Sequence, residues 1–216
     1  MIAYHYSRID SWVNAGSAEP LVPRTSLDGV FFKGTGWRAT FALPEPLPTA
    51  WIDNPRFPHA WEELKKHMGK MLVELALTPT DQVMVLDQGL TYEYWPEGKR
   101  LPAWSTDAWV ELERNAYRNE ERYWNERIPL EQYLADPSKI SLPEIIILNP
   151  IPRERVRISS QQPLIEETIK TAAESGNDFW TRHLLEQLRM GIPELQRWVA
   201  PCEATLRSQR PSKEIL

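Results

Sequence analysis

Cysteine is almost missing from this chain: Cys202 stands alone among 216 residues. That excludes an internal disulfide framework and any cysteine-built metal cluster. Glycine is scarce too, at 9 residues, and no glycine-rich phosphate loop appears. Gly34-Thr35-Gly36 lacks the third glycine of a dinucleotide fingerprint and the strand–helix setting around it. The longest apolar runs, such as Ile145 to Leu148, fall far short of the roughly 20 residues a membrane span needs. Met-Ile-Ala-Tyr-His-Tyr-Ser lacks the basic start and apolar stretch of a secretory signal, so a soluble, cytoplasmic protein is the expectation. No internal repeat or low-complexity tract is present. His59 and His67 miss the four-residue spacing of a helical zinc pair, and Ser7, Ser11 and Ser17 lie outside any nucleophile elbow. Positive charge is also short. The formal net charge of −5 argues against wholesale binding to phosphate backbones.

What the chain does have is tryptophan and proline, 10 and 19 residues, on a body that is 42% hydrophobic. Enough apolar surface is available for a packed core with many stiff corners. Ile2, Tyr4 and Tyr6 alternate with Ala3, His5 and Ser7, which predicts a strand, and a short helix over Ile9–Ala15 follows. Short strands are expected at Val30–Phe32 and Arg38–Leu43, before the stiff connector Pro44–Pro48. Pro58 opens a helix with Trp61, Leu64 and Met68 on one face and Gly69 at its stop. Met71–Leu77 and Val83–Leu86 flank Pro79-Thr80-Asp81 and read as a hairpin.

A helix over about Asp107–Asn125 has Trp109, Leu112 and Ala116 inward. Ile145–Leu148 behaves as a buried strand, and Val156 and Ile158 mark a last one. Helices follow at Leu164–Glu174, Phe179–Met190 and Pro193–Val199. The expected fold is α+β, a mixed, largely antiparallel split sheet of about seven short strands with inserted helices and a C-terminal helical extension. The expected division is a domain over 1–160, helices over 161–200 and a flexible tail over 201–216.

Two ionisable residues draw attention. His5 lies on the strand face opposite Ile2, Tyr4 and Tyr6, and Glu144 stands at the mouth of the most apolar strand. A carboxylate there is costly to bury unless it is paired or used. The plain alternative is a strand-capping Glu144 at the surface and a satisfied core histidine. Arg153, Arg155 and Arg157 are two apart, so on a strand they share one face, either to meet an anion or to protect an edge. Asp81 and Asp87 flank one strand without an evident partner. Trp12, Trp61 and Trp109 fall on apolar helical faces. Of the loop residues Trp37, Trp51, Trp95 and Trp104, Trp37 beside the Gly34/Gly36 turn is the candidate binding platform.

Tyr4-His5-Tyr6-Ser7, followed by Ile9 and a helix to Gly16, resembles the opening strand of ADP-ribosyltransferase-like proteins. Gly29-Val30-Phe31-Phe32 is similar to their next strand. Leu142-Pro143-Glu144-Ile145-Ile146-Ile147, running into Asn149-Pro150-Ile151-Pro152, resembles the late strand that carries their catalytic Glu. The likeness is nearest to the DNA-targeting DarT-type toxins and spans roughly residues 1–160. It implies an enzyme of toxin or effector type that uses NAD as substrate and passes ADP-ribose to a macromolecular acceptor, protein or nucleic acid.

On that resemblance Glu144 stabilises the positive charge developing at the ribose, and His5 holds the dinucleotide's pose. Ser7 joins His5 among the NAD-binding residues. Phe32 or Phe41 stacks on nicotinamide, without the hydroxyl of the family's Tyr, and Arg24 or Arg38 meets phosphate. Leu142 stands where a second acidic residue is found in relatives. The rival expectation is a non-catalytic protein-interaction module on the same scaffold. Trp180, Trp198, Leu184, Leu188 and Leu195 give the C-terminal helices an apolar side that a partner protein can cover.

Overall fold

The alternation at the amino end does form a strand, and the strand begins a sheet whose partners come from far along the chain. In a computed structural model, described over residues 1–15, 21, 25–26, 38–92 and 118–209, this is β1 (Ile2–Ser7). It is followed by α1 (Ile9–Ala15), β2 (Thr25–Ser26), β3 (Arg38–Ala42), α2 (Thr49–Ile52) and α3 (Ala60–His67). Then come β4 (Met71–Ala76), β5 (Val83–Asp87), α4 (Gly89–Tyr92) and helical residues 118–125, here α5. β6 (Ile128–Pro129), α6 (Leu130–Ala135), β7 (Pro143–Ile147) and β8 (Val156–Ile158) lead into α7 (Pro163–Ser175), α8 (Phe179–Arg189) and α9 (Val199–Ser208). Phe32, Arg24, Gly34, Gly36, Trp37, Trp95, Trp104 and Trp109 lie outside the described residues.

The strands form two antiparallel sheets, ordered β1-β4-β8 and β2-β3-β7-β5-β6, and the fold is α+β. The sheets meet where Tyr4 and Leu43 exchange both backbone bonds, at 2.9 and 2.8 Å. The described pairs are antiparallel throughout, so no parallel pairing mixes the sheets here.

The expected hairpin does not exist. β4 pairs with β1 on one edge and β8 on the other, whereas β5 pairs with β7 and β6. With both edges of β4 occupied, the Pro79-Thr80-Asp81 turn carries the chain across to the other sheet. Asp81 makes that corner: its Oδ2 accepts from the Thr78 amide at 2.7 Å, and its Oδ1 accepts from Asn149 Nδ2 at 3.0 Å. The arginine row is a second correction. Pro152 starts a 3-10 turn over Arg153–Arg155, so only Arg157 reaches a strand, where it pairs with Glu74 on β4. Arg153 lies over the Trp12 ring, 5.3 Å from its centroid.

The largest core joins the sheets to the C-terminal helices. Ala3, Val73, Leu75, Ile145 and Ile147 share it with Ile165, Leu184, Leu188, Leu195 and Cys202. Residues after 160 are thus part of the main packing unit. The expected tail is also corrected: 201–208 are helical, and fully buried Cys202 anchors them to the core. Trp180 departs from the expected apolar side, since it and Phe179 are each 62% exposed.

Trp51 and Trp61 fill a second core with Tyr6, Leu43, Leu72 and Leu142. Trp51, fully buried, acts as a plug whose Nε1 donates to the Pro143 carbonyl at 2.9 Å. Gly69, after α3, runs so close to β1 that a Cβ there would sit 1.9 Å from the Ser7 carbonyl oxygen.

Candidate functional site

β7 is central in its sheet, held by β3 on one side and β5 on the other. Its start is pinned by Asp87, whose carboxylate accepts from the backbone amides of Ser141 and Leu142, each at 2.9 Å. The same carboxylate accepts the Gly89 amide at 2.9 Å. Asp87 therefore has partners, and they fix the backbone two residues ahead of Glu144. Asp81 is likewise spent on structure. Among the described residues no group of three or more His, Cys, Asp and Glu is placed to hold a metal ion.

Glu144 is half-buried. The Tyr123 hydroxyl on α5 donates to its Oε2 at 2.5 Å, the one hydrogen bond of this side chain among the described residues. Burial pushes its pKa up to about 7, and the Tyr123 hydrogen bond, which favours the ionised form, limits the rise. Tyr123 is buried in a cluster with Ala39, Leu86, Leu90 and Ile146, with Phe41 and Trp124 packed against it. Its own ionisation is pushed well above the ordinary tyrosine range, first by burial and then by the Glu144 charge. Tyr123 was absent from the sequence-based candidates. The helical period gives the signal that finds it, because Tyr123 lies seven residues, two turns, beyond Ala116 on the inward face.

His5 occupies the place where the two sheets part. Beyond the Tyr4–Leu43 bridge a continued ladder would set Tyr6 against Phe41, but the strands diverge and no second backbone pair forms. The imidazole fills that gap, with Nδ1 2.6 Å from the Phe41 carbonyl oxygen. A carbonyl only accepts, so Nδ1 carries the proton and neutral His5 keeps a lone pair on Nε2. Burial lowers its pKa against the raising effect of the carbonyl, so the ring is neutral at pH 7.

The structure brings His5 to the backbone of Phe41, and Phe41 to the strand beside Glu144, where it pairs with Ile146. It does not bring the His5 and Glu144 side chains into hydrogen-bond contact. By alternation Glu144 shares a face with Leu142 and Ile146, and His5 with Ala3, residues that belong to different core clusters. Ser7 is engaged locally, its Oγ accepting from Trp12 Nε1 at 2.9 Å. Phe41 is half-buried, and Arg38 is exposed at the start of β3. Tyr6 is turned into the second core, donating to the Pro46 carbonyl at 2.5 Å.

No protein family, curated protein or solved structure matches the chain. Among the described residues no helix is long and apolar enough to cross a membrane.

Proposed function

We propose that this chain is an NAD-dependent ADP-ribosyltransferase-like enzyme, with Glu144 as the group that meets the ribose and a protein or nucleic acid as acceptor. The observation that carries the reading is the carboxyl of Glu144. It stands on the central strand β7, anchored by Tyr123 through Oε2, and its Oε1 has no hydrogen-bond partner among the described residues. Cleaving the nicotinamide–ribose bond builds positive charge at the sugar carbon. A fixed carboxylate hydrogen-bonded to a ribose hydroxyl stabilises that charge without reorganising. Phe41 offers an aromatic face one strand away, whereas His5, on the other face, is not placed to touch the same ribose. A cytoplasmic setting belongs to the same proposal.

Isothermal titration with NAD⁺ and mass spectrometry of acceptor-bound ADP-ribose test it. Binding and transfer in the wild type, with transfer lost in Glu144→Gln, are expected. No heat of binding at millimolar NAD⁺, or full transfer by Glu144→Gln, overturns the reading.

A second reading, a non-catalytic protein-interaction module on this scaffold, is favoured by His5. Its Nδ1 is committed to a backbone carbonyl, and its face is not that of Glu144. Under that reading the same titration gives no NAD⁺ binding.

A further inference from the structure

Glu144 and Tyr123 form a closed pair. Among the described residues the phenol makes one hydrogen bond, to Glu144, and the carboxylate makes one, to the phenol. Among the described residues no other charged group acts on either of them. Both ends are immobilised: Glu144 by a strand paired on both edges, and Tyr123 by a ring packed among Ala39, Leu86, Leu90 and Ile146. A glutamate whose backbone is fixed and whose one oxygen is hydrogen-bonded is confined to the few staggered rotamers that keep that bond. Its second oxygen is then confined to a narrow range of directions. Hydroxyl donation to a charged carboxylate is also roughly twice as strong as a neutral hydrogen bond. It therefore favours the ionised form, the form that stabilises a cationic sugar.

We infer that Tyr123 is a positioning residue for Glu144: its hydroxyl holds Oε2, so that Oε1 is the oxygen offered to the ribose. The ribose part rests on the function proposed above; the coupling of the two side chains does not.

The experiment is a pH titration of the Glu144 side-chain carboxyl by carbon-13 NMR, its signal assigned by its loss in Glu144→Gln. In Tyr123→Phe the carboxyl is expected to hold its proton about tenfold more tightly. The acid limb of the transfer rate moves up in pH by the same factor. A carboxyl titration identical to the wild type overturns the inference.

Should Tyr123→Phe fail to fold, the reciprocal measurement keeps the test open. In Glu144→Gln the Tyr123 phenol, followed by its ring-carbon shift, is expected to ionise at lower pH than in the wild type. An unmoved phenol overturns the inference. NAD⁺ calorimetry on the wild type reads the other half separately. A shifted carboxyl without NAD⁺ binding removes the ribose and leaves Tyr123 as the residue that orients Glu144.

Discussion

Arg155 meets Asp81 with both prongs of its guanidinium, Nη1 2.7 Å from Oδ2 and Nη2 3.0 Å from Oδ1. The carboxylate is nearly enclosed, at 2% exposure, so the pair sits in surroundings that screen it poorly. Removing one partner leaves the other charged and unmatched. Asp81→Ala is expected to cost roughly 3 kcal/mol in urea unfolding. Arg157→Ala, which breaks an ion pair whose arginine is 80% exposed, is expected to cost less than about 1 kcal/mol. Arg155 also holds the Asp81 carboxyl well below the ordinary carboxylate range. A depressed acid binds fewer protons folded than unfolded, so this contribution is present above pH 3.8 and is lost as pH falls below it. Equal losses in the two variants would dismiss the corner as a stabilising device.

Glu144 works in the opposite direction. Its pKa rises from 4.5 to about 7, so between those values the folded chain binds more protons than the unfolded one. Stability attributable to this residue is fully present below pH 4.5 and is lost as pH climbs through about 7, by at most about 3 kcal/mol. The melting temperature of Glu144→Gln, compared with the wild type across this window, checks the sign. The variant is expected to gain on the wild type as pH rises.

The imidazole at the parting of the sheets supports a third expectation. His5→Leu strips the Phe41 carbonyl of its donor and should cost about 1–3 kcal/mol, while His5→Gln, with an amide donor, should lose less. His5 has a lowered pKa, so protons bind the unfolded chain more readily. Its contribution is kept above pH 6.5 and lost below it. Denaturation of both variants at pH 7 settles the matter, and identical losses would mean that the bond contributes nothing.

Gly69 provides a steric test. A methyl at this position meets backbone at 1.9 Å, which no side-chain adjustment relieves, and Gly69→Ala is expected to lose at least about 3 kcal/mol. Gly176, at the end of α7 with φ of +66°, has open space around it. Its alanine variant should suffer only the left-handed backbone penalty of about 1–2 kcal/mol. Thermal melts of the two rank them directly.

Local pattern was enough wherever a segment's own periodicity decides its form. β1, α1, β3, α3 and β7 fall where the alternation and the helical spacing place them, and Trp51 and Trp61 are the core plugs their bulk suggests. Partner choice was not legible. Met71–Ala76 and Val83–Asp87 each alternate well, yet alternation says nothing about which strand lies alongside. The pairing was decided by β1 and β8, some 64 to 85 residues away in sequence from β4. The arginine row failed for a local reason, because Pro152 favours a turn over an extended start. In the candidate site, Glu144 was visible as a costly carboxylate beside an apolar run. Its contact with Tyr123 depends on how α5 lies across β7, which no spacing within either segment encodes.

The interior that receives Ala3 from β1 also receives Leu195 from the 3-10 turn Pro193–Trp198 and Cys202 from α9. During synthesis, then, β1 cannot complete its packing until α9, about 200 residues later, has emerged. Chains interrupted before α9 would be left with an open, sticky interior, natural prey for chaperones and proteases.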